Sequence, residues 1–156
     1  MSGDADCVDA HPLSKSAVAP PMTQDVGRLL AGYAAAHFLV DASCAAVLFR
    51  MVSIQGFSIV GAWTLVLIYD FLAFGIQPFL GLAVDRRRTA RSAAALGCVL
   101  TALPVGAVEL SVVLAICLAG IGNALFHVGA GAISLNLTPR RCASPGVFIA
   151  PGALGL

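Results

Sequence analysis

Residues 110 to 139 read LSVVLAICLAGIGNALFHVGAGAISLNLTP, and His127 is the one acidic or basic side chain in the run. At about 1.5 Å per residue, a helix over this segment exceeds the ~30 Å hydrocarbon core of a bilayer. The composition of the whole chain agrees: 59% of the 156 residues are hydrophobic and only 11% are charged, against about 25% charged in soluble domains. A soluble fold would leave most of that apolar area in water, at roughly 25 cal/mol per Å². The sequence therefore predicts an all-α membrane protein, a transmembrane helix bundle.

Three further spans are expected upstream. Residues 92–108 carry no charged side chain and are at the short limit for crossing; residues 57–84 are interrupted only by Asp70; residues 29–49 contain only His37 and Asp41. Pro78 is expected to kink the end of the second span. With the fourth span at 110–138, Glu109 is the only charge between spans three and four, which predicts a tight connection at the membrane surface. Beyond Ser144-Pro145-Gly146, the run GVFIAPGALGL from Gly146 reads as a truncated fifth span. Residues 1–27 carry Asp4, Asp6, Asp9 and Asp25 against Lys15, with a Pro20-Pro21 pair. They lack the basic start and apolar middle of a signal peptide and are expected to be a disordered cytoplasmic tail, with 28–156 forming the bundle.

Every Lys and Arg except Arg50 falls on one side of this alternation: Lys15 and Arg28 before span one, Arg86, Arg87, Arg88 and Arg91 between spans two and three, and Arg140 and Arg141 after span four. The positive-inside rule puts that side, and the N-terminus, in the cytoplasm of a multi-pass cell-membrane protein. A net charge of +1 suggests no nucleic-acid partner. Cys7, Cys44, Cys98, Cys117 and Cys142 are odd in number and scattered without a CxxC, so neither a disulfide framework nor a metal site is expected. Nothing resembles a catalytic triad or a nucleotide loop; the expectation is a non-enzyme without cofactor.

Asp41, Asp70 and His127 lie in three different spans, each close to the middle. An ionised Asp facing lipid at that depth costs roughly 2.5–3.5 kcal/mol, so these residues are expected to face protein or water. His37 and Asp41 share a helix face by i, i+4 spacing, as do Asn123 and His127. Trp63, Asp70 and Gln77 recur every seven residues in one stripe. Two readings fit: a midplane cavity that takes a solute or carries protons, with Asp41, Asp70 and His127 protonatable, or interhelical hydrogen bonds that hold the bundle at about 0.6 kcal/mol each. Span three has no polar stripe and suits a peripheral helix facing lipid. Ala31 and Ala35, Gly120 and Ala124, and the series from Gly129 to Ala132 are candidate small-residue contacts.

The loop GLAVDRRRTAR at 81–91 resembles that of the major facilitator superfamily between its second and third helices, G-x-x-x-D-R-x-G-R-R. Gly81, Asp85 and Arg86 fall on the motif, Arg88 replaces its second glycine, and Arg91 is displaced by one from the last basic pair. The fosmidomycin-resistance type of that superfamily is a nearer likeness. HFLVD from His37 to Asp41 resembles its first helix, IQPFLGLAVD the end of its second, and GIGNALFHVG at 120–129 its G-x-G-x-x-x-F-H-P, with Val128 at the proline. The final glycine-rich run resembles the start of its fifth. The resemblance implies the N-terminal portion of a twelve-helix fold, with the first structural repeat complete and the second begun.

It also implies that Asp85 and Arg86 belong to a cytoplasmic charge network that stabilises one state of the transport cycle. The expected function is then a fragment of a secondary transporter exporting a small molecule, with protons as candidate coupling ion and a missing C-terminal half as partner. The alternative is a small non-transporting membrane protein that self-associates or binds another membrane protein.

Overall fold

A computed structural model describes residues 23–54, 56–139 and 142–155; of the tail expected over residues 1–27, residues 1–22 lie outside the described residues, as do Arg140 and Arg141. All elements are helical, with no strand among the described residues: α1 Gln24–Ile54, α2 Ile59–Asp70, a π-helical turn Phe71–Gly75, α3 Gln77–Arg87, α4 Ala90–Ala102, α5 Pro104–Ala107, α6 Val112–Leu137 and α7 Ala143–Gly155. Four stretches are long and apolar enough to cross a membrane, Gln24–Ser53, Ile59–Arg87, Ala90–Ala107 and Val112–Leu137. The chain is a multi-pass helical membrane protein.

α1 begins at Gln24, one turn before the sequence boundary. Thr23 caps it, its carbonyl accepting from Gly27 N–H at 3.1 Å and its hydroxyl facing Val26 N–H at 3.4 Å. Along α1, Leu30, Ala34, His37, Asp41, Cys44 and Met51 are buried, while Leu39 and Phe49 are exposed. These buried positions recur at steps of three, four and seven, which places the two polar residues on the inner face with the apolar ones.

The second span is interrupted. Pro78 has no N–H and its ring conflicts with the carbonyl of Phe74 four residues back. The π-helical turn Phe71–Gly75 widens the helix just ahead of it, and Gln77 Nε2 donates to Ala73 O at 2.8 Å. A π turn inserts one extra residue and rotates the helical segment after it. The seven-residue stripe expected from a continuous helix is therefore broken: Trp63 and Asp70 are exposed, and Gln77 turns to a half-buried position.

α3 ends at Arg88, which takes the left-handed conformation at φ 54°. Arg88 N–H bonds Asp85 O at 3.2 Å and Thr89 N–H bonds Val84 O at 3.1 Å, closing the turn into α4.

α6 is the centre of the bundle and touches every other element, while the most extensive pairings are α4 with α6 and α1 with α7. The expectation that span three simply faces lipid needs correction. Its outer residues Leu96, Val99 and Leu103 are exposed, but Ala93, Ala94, Gly97 and Thr101 are buried. A Cβ on Gly97 would run into the Phe126 backbone, and one on Gly129 into the backbone of Ala90 and Ala94. Two helix backbones come this close only where side chains are absent. Ala31 and Ala35, by contrast, are exposed and join no interface among the described residues. At the far end of the bundle, Arg50 pairs with Glu109, tying the end of α1 to the turn that precedes α6.

Candidate functional site: a buried polar cluster between α1, α6 and α7

Two apolar clusters fill the bundle, one around Cys44, Met51, Tyr69 and Ile116, the other around Leu30, Phe126, Ala130 and Phe148. His37, Asp41, Asn123 and His127 are joined by hydrogen bonds between them. Asn123 Nδ2 donates to Asp41 Oδ1 at 2.9 Å, and His37 Nε2 lies 3.1 Å from Asp41 Oδ2. His127 Nε2 is 2.7 Å from His37 Nε2 and 3.9 Å from Asp41 Oδ1. Both i, i+4 pairs thus meet across the α1–α6 interface. Asp41, His37 and Asn123 are buried, and the His127 side chain retains 18% of its exposure.

Each ring is held by a backbone carbonyl. His37 Nδ1 lies 2.7 Å from Phe148 O, and His127 Nδ1 lies 2.9 Å from Asn123 O. A carbonyl only accepts, so both Nδ1 atoms carry protons. Both Nε2 lone pairs then point at one another across 2.7 Å, a contact that is attractive only with a cation between them. A proton between them would satisfy both nitrogens, and the Asp41 carboxylate lies 3.1 Å from one ring nitrogen and 3.9 Å from the other. An ionised pair in low dielectric is sustained only when its remaining hydrogen-bonding positions are filled, as the two carbonyls and Asn123 fill them here.

α7 contributes without an ionisable side chain of its own. Phe148 stacks on the His37 ring, centroids 4.5 Å apart at 22°. Pro151 lies inside α7 and has no N–H to offer the Val147 carbonyl four residues back, next to the Phe148 carbonyl that receives His37. The His37 ring occupies the space where a Cβ on Gly152 would stand. Phe148, Gly152 and Cys44, whose Sγ lies 3.8 Å from Asn123 Nδ2, are not singled out as site residues by the sequence.

The remaining sequence candidates lie elsewhere. Asp70 is exposed on α2 and joins no ion pair among the described residues, so it is not part of the cluster. Gly81 is half-buried beside Val128; Asp85, Arg86 and Arg88 are exposed and likewise form no ion pair among the described residues. Against the sequence expectation of no metal site, His37, Asp41 and His127 bring three ligating atoms within 4.8 Å of one another. No family model, curated protein or solved structure matches the chain.

Proposed function

We propose that the chain is the N-terminal portion of a secondary active transporter of the major facilitator type, exporting a small molecule by alternating access. In this reading His37, Asp41, Asn123 and His127 form its midplane cation site, with the proton as coupling ion. The observation that carries the proposal is the two facing imidazole nitrogens backed by a buried carboxylate, a cation-holding arrangement that spans α1 and α6. Intramembrane ionisable groups facing the bundle interior mark ion and substrate pathways by default. Arg88 adds support, because it takes a left-handed conformation at the position where the resembled loop carries glycine.

Exposed Asp70 calls for a covering partner, since Tyr69, Ala73 and Val84 are the only buried residues of the stretch Ile59–Arg87. The remaining helices of a transporter would supply it; a second copy would supply it if the chain instead works as a small self-associating protein. The coding DNA beyond codon 156 separates the two. Continuation into about seven further hydrophobic spans is expected from a twelve-helix transporter. An intact terminator followed by unrelated sequence would overturn the transporter reading.

A further inference from the structure

We propose that His37, Asp41 and His127 form a binding site for a divalent transition-metal ion of the Zn2+ class, which replaces the proton between the two imidazoles. All three ligands belong to this chain, so the site stands whether or not the transport reading does.

The donor set is that of a transition-metal centre. Two imidazoles and one carboxylate suit Zn2+, Co2+ or Fe2+, whereas Mg2+ and Ca2+ favour shells of oxygen. The second feature is the way the ligands are held. A histidine that binds metal through one nitrogen commonly donates its other N–H to a carbonyl or carboxylate, which fixes the tautomer and aims the ring. Both histidines here do so, through Phe148 O at 2.7 Å and Asn123 O at 2.9 Å. Asp41 is held in turn by the Asn123 amide at 2.9 Å.

His37 Nε2 lies 2.7 Å from His127 Nε2 and 3.1 Å from Asp41 Oδ2, His127 Nε2 lies 3.9 Å from the other carboxylate oxygen, Oδ1, and one ligating atom from each residue fits within 4.8 Å of the others. These distances bracket the ~3.3 Å expected between tetrahedral ligands at bond lengths of about 2.0–2.1 Å. Binding needs the two Nε2 atoms to part by roughly 0.6 Å and both lone pairs to swing off the line between them towards the Asp41 carboxylate, with the partly exposed His127 ring the freer of the two to turn. The proton between them leaves as the metal enters, because both nitrogens must present lone pairs. Three protein ligands leave a fourth position for water or a small anionic solute. Cys44 is not a ligand in this arrangement, as its thiol donates towards Ala119 O at 3.8 Å.

The test uses the full chain in detergent micelles, stripped with a chelator and then titrated with Co2+ and Zn2+. One Co2+ per chain is expected, with visible d–d absorption of a low-coordinate site, release of about one proton and displacement by Zn2+. Glu109→Gln should leave binding unchanged, since Glu109 pairs with Arg50 at the far end of the bundle. His37→Gln and His127→Gln should each weaken binding more than ~100-fold, and Asn123→Ala about 10-fold through the ligand it holds. X-ray absorption at the zinc edge on the unmodified chain should show two imidazoles, which decides the matter even if the variants fail to fold. Absence of stoichiometric binding, or a zinc shell without two imidazoles, would overturn the proposal and leave the coding-DNA test of the transporter untouched.

Discussion

Nε2 of His37 lies 2.7 Å from Nε2 of His127, and each ring has its other nitrogen turned to a backbone carbonyl. With both Nδ1 atoms donating, the two Nε2 lone pairs make the gap between the rings the cation site proposed above, with the Asp41 carboxylate 3.1 Å from His37 beside it. Three helices build this contact, α1 and α6 presenting the rings and α7 supplying a carbonyl and a stacking phenyl, while α4 packs closely on α6.

Removing the counter-charge should disable the site without removing its shape. If the chain is part of the transporter proposed above, Asp41→Asn in the full-length protein is expected to abolish solute flux driven by a pH gradient in proteoliposomes, with insertion retained. Flux at the unmodified rate would take Asp41 out of the coupling path.

Close approach makes its own prediction. Gly152→Val drives side-chain atoms into the space of the His37 ring, and Gly129→Val does the same against α4. Each should cost about 1–3 kcal/mol by overpacking, read as lower midpoints in thermal unfolding in detergent. Gly106→Ala, where nothing lies within 4 Å, should be neutral or slightly stabilising. Equal effects at the three positions would contradict the packing described.

Arg88 is the only described non-glycine residue with positive φ. Arg88→Gly should therefore stabilise the α3–α4 turn by roughly 1 kcal/mol, as the left-handed region penalises a Cβ. A destabilised variant would point to a contact of the Arg88 side chain that outweighs its backbone cost.

The spans are legible in the sequence because run length can be set against bilayer thickness, and the shared faces of His37 with Asp41 and Asn123 with His127 because helical periodicity dictates them. Contacts across an interface depend on helix rotation, which packing partners set. Asp70 is the clear instance: equal depth suggests a common cavity, but α2 turns it outward. Gln77 leaves its stripe because one π turn shifts the register. The tight face of α4 is written in Ala93, Gly97 and Thr101, small residues four apart, yet it holds no charged group to mark it. No side-chain pattern announces a backbone carbonyl such as Phe148 O as a ring anchor.

Orientation can be read from the basic loops and mapped with single cysteines in vesicles of known sidedness. Arg87→Cys should react with a membrane-impermeant maleimide only from the cytoplasmic side, and Leu110→Cys only from the other, both positions being exposed. Labelling from the same side would mean that an odd number of crossings does not separate them.

The most direct measurement is nitrogen-15 solid-state NMR on chelator-treated protein labelled at histidine in lipid bilayers. The expected spectrum has two rings with protonated Nδ1 and a strong Nε2–Nε2 correlation from His37 to His127, lost in His127→Gln. Two rings that titrate independently and show no such correlation would contradict the account.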